Sequence, residues 1–151
     1  MHLMRGVLFP IFKQRGLVLC LALAGLVMLL PSCGKRRKPV YSVHGKILDN
    51  QDKPAVGAMI VFHPVDDSDL DKPLGYVQED GSFSLTTYEK DDGAPEGEYV
   101  ATIEWRPKGQ GFGAPEGPDR LNGQLNNKAT SKLRFKVENQ PDNVLAPIKL
   151  P

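Results

Sequence analysis

The chain has 151 residues, and its 19 lysine and arginine residues against 18 aspartate and glutamate residues give a formal net charge of +1. Seven of the basic residues precede Tyr41, so residues 41–151 contain 12 basic and 18 acidic residues and carry a net charge of −6. This balance argues against a basic nucleic-acid-binding surface on the C-terminal part, and with no cysteine after Cys33 that part has no disulfide framework.

The first 32 residues have the layout of a signal peptide. Three basic residues, Arg5, Lys13 and Arg15, precede an uncharged apolar stretch at 16–30. That stretch is shorter than the roughly 20 residues of a membrane-spanning helix and resembles the apolar region of an export signal. We therefore predict that residues 1–32 form a signal-peptide helix that is removed on export.

Residues 30–33, Leu-Pro-Ser-Cys, resemble the lipobox of bacterial lipoproteins. In that motif a leucine stands three residues before a cysteine that is acylated and becomes the first residue of the mature protein. The resemblance implies that Cys33 is the lipidation site and that acyl chains such as palmitate hold the protein at a membrane, at about 0.8 kcal/mol per buried CH₂. Gly34 implies, by analogy with Gram-negative lipoproteins, an outer membrane lipoprotein of the cell envelope.

Residues 33–40 are predicted to form a basic tether. The four consecutive cations at 35–38 would lie against head groups, where each contributes roughly 1 kcal/mol if the lipid is anionic. Two alternatives remain open. Cleavage at an ordinary site near the Ala-Leu-Ala of 22–24 would leave Cys33 unmodified. An uncleaved anchor would keep the C-terminal part in the cytoplasm, because more cations follow the apolar stretch than precede it.

After residue 41 the apolar residues alternate in short segments, and no segment shows sustained helical spacing. We predict about seven strands, which lie at 41–47, 58–63, 74–78, 82–86, 99–105, 132–138 and 144–150. The Asp80-Gly81 pair favours a tight hairpin because both residues tolerate a positive φ, and Pro147 places the last strand at a sheet edge because proline lacks an N–H. The count and spacing are typical of an all-β, immunoglobulin-like β-sandwich over residues 41–151.

Six large apolar residues are predicted to supply the core of this sandwich, namely Phe62, Phe83, Leu85, Tyr99, Ile103 and Phe135. Gly45 lies among the inward-facing positions of the first strand. We expect another side chain to approach its backbone closely there.

Four segments resemble the carboxypeptidase regulatory-like (transthyretin-like) domain: 43–47 (VHGKI), 53–64 (KPAVGAMIVFHP), 79–85 (EDGSFSL) and 97–103 (GEYVATI). The same pattern behind a lipobox is common among short secreted lipoproteins of planctomycete-type bacteria. The resemblance covers about residues 41–151 and implies a transthyretin-like sandwich. Its motifs are mostly turn and core positions, so they imply a fold rather than an activity.

The segment 106–130 is rich in glycine and proline and has no apolar periodicity. It is predicted to be a long loop, and loops of this length are either functional or disordered. Trp105 precedes it and Phe112 lies within it, so the two residues are candidate ligand-binding residues that would form an aromatic platform for sugar rings or a partner protein. The alternative is that Trp105 packs in the core, because it alternates with Tyr99 and Ile103.

Candidate catalytic and metal-binding residues are few. His44 lies on a predicted outward face, His63 ends a strand, and no nucleophile-elbow, zinc-protease or phosphate-loop motif occurs. A hydrolase of the transthyretin fold carries a C-terminal Tyr-Arg-Gly-Ser signature that this chain lacks. Four carboxylates within six residues raise a calcium hypothesis, but a solvated loop is the simpler interpretation of Asp66, Asp67, Asp69 and Asp71. We predict no catalytic residue, metal or cofactor.

The function expected from these patterns is that of a non-enzymatic cell-envelope lipoprotein with a structural or binding role. Its expected partners are the membrane, through the lipid anchor, and an envelope protein or polysaccharide, with no nucleic acid. The alternative is a carbohydrate- or peptide-recognition module that uses the 106–130 loop. A small hydrolase is a third possibility.

Overall fold

The computed structural model describes residues 37–66, 71–107 and 116–151. The predicted signal peptide, Cys33 and Phe112 lie outside the described residues. Lys38–Pro151 form one compact unit, and every buried apolar residue of its core lies between Val43 and Leu150. This unit therefore has a hydrophobic core of its own. In the part of the chain that the structure describes, no helix is long and apolar enough to span a bilayer.

The described residues form nine β-strands and no helix, which confirms the predicted all-β class. The strands are β1 (Val40–Leu48), β2 (Met59–Pro64), β3 (Leu74–Tyr76), β4 (Ser82–Ser84), β5 (Ala94–Pro95), β6 (Gly97–Glu104), β7 (Arg134–Val137), β8 (Asp142–Val144) and β9 (Ile148–Lys149). About seven strands were predicted. The predicted strand at 144–150 is replaced by two strands, β8 and β9, with Pro147 between them. Strand β5 was not predicted, because two residues are too few to show an alternating pattern.

The long strand β1 is the centre of the first sheet. His44 pairs with Ser84 of β4 on one edge and with Val144 of β8 on the other. The short strand β5 pairs with the start of β1 and β9 with its end. Strands β4 and β5 run antiparallel to β1, whereas β8 and β9 run parallel to it. The C-terminal strands therefore lie at a sheet edge, as Pro147 predicted.

The second sheet is fully antiparallel, in the order β3-β2-β6-β7. Strands β3 and β4 belong to different sheets but are consecutive, and a bridge between Leu74 and Thr86 links them. The single residue between β5 and β6 joins the sheets a second time. The result is a sandwich-like arrangement of two sheets.

The core lies between the inner faces of the two sheets. Phe62 is fully buried, and its ring lies 5.1 Å from that of Phe135 and 5.5 Å from that of Tyr99. The Tyr99 hydroxyl, buried with its ring, donates to the Pro95 carbonyl at 2.7 Å. The predicted core is confirmed for five of the six residues, while Phe135 is only partly buried because it lies on the edge strand β7.

Two local predictions concern Gly45 and Gly81. A Cβ at Gly45 would lie 3.1 Å from the Phe83 ring, so the predicted close approach is confirmed. A turn follows β3 at the predicted Asp80-Gly81 pair, where only Gly81 has a positive φ and its N–H donates to the Gln78 carbonyl at 3.0 Å. This is a turn closed by a left-handed glycine, and Asp80 caps it by accepting the Ser82 N–H at 3.0 Å.

The strand registers define two ends of the domain. At the proximal end, where the chain enters through Lys38, β1 begins beside Pro95 and β2 ends beside Tyr99. At the distal end, β2 begins beside Glu104, and the last residues of β1 bond the hairpin at Gly81. The two ends are separated by the length of β1, whose nine residues span about 30 Å.

Candidate functional site: a concave surface around Trp105

Trp105 is held at the distal end by three hydrogen bonds. Its backbone N–H donates to the Asp119 carboxylate at 2.9 Å, and its carbonyl accepts the Arg120 N–H at 2.8 Å. Its indole N–H donates to the Val56 carbonyl, in the connection from β1 to β2, at 3.0 Å. Both the backbone and the ring edge are thus fixed, and the side chain is half-buried.

Asp119 organises the segment that follows. Besides the Trp105 N–H, its carboxylate accepts the N–H groups of Leu121 at 3.1 Å and Gly123 at 2.9 Å. Burial alone would raise the pKa of Asp119, but these backbone hydrogen bonds outweigh it and hold the pKa below its usual value. The charged carboxylate is therefore part of the folded state.

The described part of the predicted 106–130 loop contains turns and no strand. It is nevertheless bonded to β6, because the Ile103 N–H donates to the Leu125 carbonyl at 2.9 Å. Just beyond the loop, the Ala101 N–H donates to the Leu133 carbonyl, also at 2.9 Å. The Ser131 hydroxyl also donates to the Ala101 carbonyl. Residues 116–133 thus continue the line of β7 along the edge of β6.

Arg120 covers the Trp105 ring. Its guanidinium carbon lies 4.7 Å from the ring centroid, a cation–π contact of about 0.5–1 kcal/mol at an exposed site. Trp105 also packs against the core cluster. The core alternative is therefore confirmed in part, because the ring packs against the core. The ring also lines the surface described next, and its predicted role in ligand binding stays a prediction.

A cavity of about 680 Å³ opens beside the Trp105–Arg120 pair. Val56 and Gly57 line it from the β1–β2 connection, and Tyr76, which is 53% exposed, lines it from β3. Its volume lies within the roughly 300–1,000 Å³ range of small-molecule sites. We call this cavity the Trp105 surface.

The charged groups of the Trp105 surface are balanced. Arg106 and Arg120 line it together with Glu79 and Glu116. Arg106 is positioned by Glu104, whose carboxylate accepts its Nε–H and Nη2–H, both at 3.3 Å. The same hydrogen bonds are the main cause that lowers the pKa of Glu104 and raises that of Arg106. The surface therefore offers donors and acceptors without a net charge.

The sequence placed Trp105 in the site but not its neighbours. Val56, Tyr76 and Arg120 come from three separate connections or strands, and only the strand register brings them together. For Tyr76 the sequence contained a weak indication of a binding role, because an aromatic residue at an outward position of a short strand is unusual on a surface. For Arg120 the sequence contained no such indication, since this residue lies in a segment without periodicity.

Neither histidine of the described residues lines the Trp105 surface. His44 lies on an outer face, as predicted, with its Nδ1 3.1 Å from the Asp142 carboxylate. The Nε2 of His63 lies 2.9 Å from the Thr102 hydroxyl. Burial is the main cause that lowers the pKa of His63, followed by repulsion from Lys72 and Lys128.

Metal-ligand clusters are also absent from residues 37–66, 71–107 and 116–151, where no three His, Cys, Asp or Glu side chains are placed to hold one ion. Of the four aspartates in the calcium hypothesis, Asp67 and Asp69 lie outside the described residues.

Comparison with protein-family models and with curated proteins gave no match. Among solved structures, the chain is similar to a 9R-lipoxygenase from Cyanothece PCC8801, with 12% sequence identity and a TM-score of 0.41. The similarity covers 91% of this chain and 22% of the lipoxygenase chain, so this chain spans less than a quarter of that protein.

Proposed function

We propose that this chain is a non-enzymatic lipoprotein of the bacterial cell envelope, anchored through an acylated Cys33, and that its β-sandwich is a recognition module for an envelope polysaccharide. The observation that carries the recognition role is the Trp105 surface. It combines a fixed tryptophan, an exposed tyrosine and two arginines in one cavity. The anchor is supported by the lipobox-like sequence and by the basic tether that follows it.

The position of the Trp105 surface fits an anchored receptor. The chain enters the domain at the proximal end, through Lys38, and the surface lies at the distal end, about 30 Å away along β1. An anchor attached at the proximal end would therefore leave the surface open to a ligand in the periplasm or outside the cell. A site at the proximal end would instead compete with the membrane for space.

The chemistry of the surface favours sugars over charged ligands. Trp105 and Tyr76 supply aromatic area with polar tips, which suits the mixed apolar and hydroxylated faces of a sugar ring. The two arginines and two glutamates supply donors and acceptors for hydroxyl groups, and their charges cancel. Arg120 lies over the Trp105 ring, so a sugar that stacks on this face would displace the guanidinium.

The finer fold assignment belongs to the same proposal. We assign the sandwich to the carboxypeptidase regulatory-like, transthyretin-like type. The assignment is supported by two sheets that enclose one core and by the structural roles of the resembling segments, since Gly45 and Phe83 contact each other in the core and Gly81 closes a turn. These are scaffold roles, which agrees with a domain that binds rather than catalyses.

Trp105 is the only tryptophan in the chain, so its fluorescence tests recognition directly. The purified protein would be titrated with soluble fragments of envelope polysaccharide. We expect a saturable change in emission that is lost in Tyr76→Ala and kept in Lys46→Ala, which alters an exposed residue of the other sheet. The absence of saturable binding by both fluorescence and calorimetry would refute polysaccharide recognition, and saturable binding of a peptide instead would identify the other ligand class.

The anchor and the lack of activity have separate tests. Labelled palmitate should enter the wild-type protein in cells and not Cys33→Ala; label that persists in the variant contradicts lipidation at this residue. Polysaccharide fragments incubated with the protein should keep their mass. New, shorter fragments that disappear in His63→Ala would point to a hydrolase.

A further inference from the structure

The proximal half of the second sheet is bordered by cations. Arg134 and Lys136 are exposed on the outer face of β7, because the alternate residues of that strand face the core. The Lys128 ammonium donates a hydrogen bond to the Pro64 carbonyl at 3.0 Å, across the end of β2, and Lys72 is exposed just before β3. We call the surface formed by Lys72, Lys128, Arg134 and Lys136 the basic face.

The basic face contains a shallow depression of about 500 Å³. Its lining combines Lys128 and Arg134 with Val65, Val100 and Asn127. Val65 is 45% exposed, so an apolar group lies next to the cations. Among the described residues Arg134 forms no ion pair, whereas Lys136 pairs with Glu138 at 3.2 Å. Arg134 is thus able to bind an external anion without losing an internal partner.

Several acidic residues also lie at the proximal end, next to the basic face, but they do not cancel its positive charge at every position. Asp66 and Asp71 flank the residues 67–70, and Glu98 lies opposite Lys136 in the strand register. His63 pairs with Val100, which in turn pairs with Arg134, so it lies on the same row of the sheet. After burial, repulsion from Lys72 and Lys128 also lowers the pKa of His63, so both ammonium groups lie close enough to act on its ring.

From this placement we propose that the basic face binds the anionic head groups of the membrane and fixes the orientation of the domain on it. The basic face lies at the proximal end of the domain, which is also the end where the chain enters through Lys38. Phosphate groups of lipids provide the negative charge, and Val65 would contact the acyl boundary. This proposal depends on the proposed lipid anchor in one respect only, which is that the anchor brings a membrane to the proximal end.

The test uses residues 38–151, which contain the whole described core, and therefore does not depend on acylation. Binding to vesicles would be measured by co-sedimentation at low ionic strength, with phosphatidylglycerol mixed into phosphatidylcholine or with phosphatidylcholine alone. Residues 38–151 contain 13 basic and 18 acidic residues and carry a net charge of −5, so charge alone predicts repulsion from the anionic vesicles. We expect binding to the anionic vesicles only.

Paired variants locate the binding surface. Lys128→Ala/Arg134→Ala should weaken vesicle binding about 25-fold, since each charge near an anionic surface contributes roughly a factor of five. The matched control is Lys46→Ala/Lys53→Ala, which removes two positive charges from the other sheet and from the distal end and should change binding less than twofold. Circular dichroism would confirm that both variants keep the β-sheet spectrum.

Three outcomes would overturn the proposal: no binding of the wild-type domain to anionic vesicles, equal losses in the two double variants, or equal competition by a soluble polyanion such as heparin at the same charge concentration. Failure of the anchor itself would be recognised separately. It would appear as missing palmitate label at Cys33, whereas the vesicle result for residues 38–151 would stand unchanged.

Discussion

Replacing Asp119 with alanine should both destabilise the domain and change the environment of Trp105. The substitution removes the acceptor of three backbone N–H groups, those of Trp105, Leu121 and Gly123. At this half-exposed position water can replace part of what is lost, so we assign about 1 kcal/mol to each bond and about 2–3 kcal/mol in total. For a domain of this size that corresponds to a fall in Tm of about 8–12 °C.

The matched control is Asp92→Ala. Asp92 also accepts three backbone N–H groups, from Thr87 at 2.7 Å, Tyr88 at 3.0 Å and Glu89 at 2.9 Å, but none of them belongs to the Trp105 surface. Both variants should lose similar stability in thermal or urea unfolding. Only Asp119→Ala should shift the tryptophan emission of the native state to longer wavelength and increase its quenching by acrylamide.

The pH dependence gives a second test of the same contact. Because the folded state lowers the pKa of Asp119, its stabilising contribution is fully present above the ordinary aspartate pKa of about 3.9 and is lost as the pH falls through the lower folded value. The stability difference between wild type and Asp119→Ala should therefore be constant near neutrality and shrink below about pH 4. A difference under about 0.5 kcal/mol at pH 7, or identical emission shifts in the two variants, would refute the reasoning.

Three further changes test the core and the second sheet. Phe62→Ala should cost about 3–5 kcal/mol in urea unfolding, because it empties the centre of the core; a loss below about 1 kcal/mol would contradict the packing. Gly45→Ala should cost about 1–3 kcal/mol, since the new Cβ would lie 3.1 Å from the Phe83 ring, and an unchanged Tm would argue against that contact. By NMR, His63 should titrate below 6.5, so that stability falls as the pH drops from that value through its lowered pKa; Lys128→Ala should raise the His63 pKa, and an unchanged value would mean that the two groups do not interact.

The strands were predictable where one face is buried and the other is exposed to solvent. Strand β7 alternates strictly, and β1 alternates through Val43, Gly45 and Ile47, so their faces could be assigned from the sequence. The splitting of the last predicted strand was not visible, because residues 144–150 look equally extended throughout. They form two strands because they pair with two separate segments of β1, and this pairing depends on β1 rather than on residues 144–150 themselves.

The site was predictable only as a single residue. Trp105 stands out because it is the only tryptophan, and its place at a strand end suggested a binding role. The order of the segment after it was not predictable, since glycine and proline without periodicity suit both a mobile and a fixed loop. The fixed arrangement of residues 116–133 depends on Asp119. An aspartate that accepts three backbone N–H groups cannot be distinguished in the sequence from any other aspartate.

The parallel pairing of β8 with β1 has a consequence for the order of events during synthesis. Ser42 stands opposite Asp142, one hundred residues later, so the central strand of the first sheet is paired on one edge only until the last part of the domain has been made. Contacts between such distant residues form slowly, because a long loop must close first. The first sheet can therefore be completed only after residues 142–149 have been synthesised.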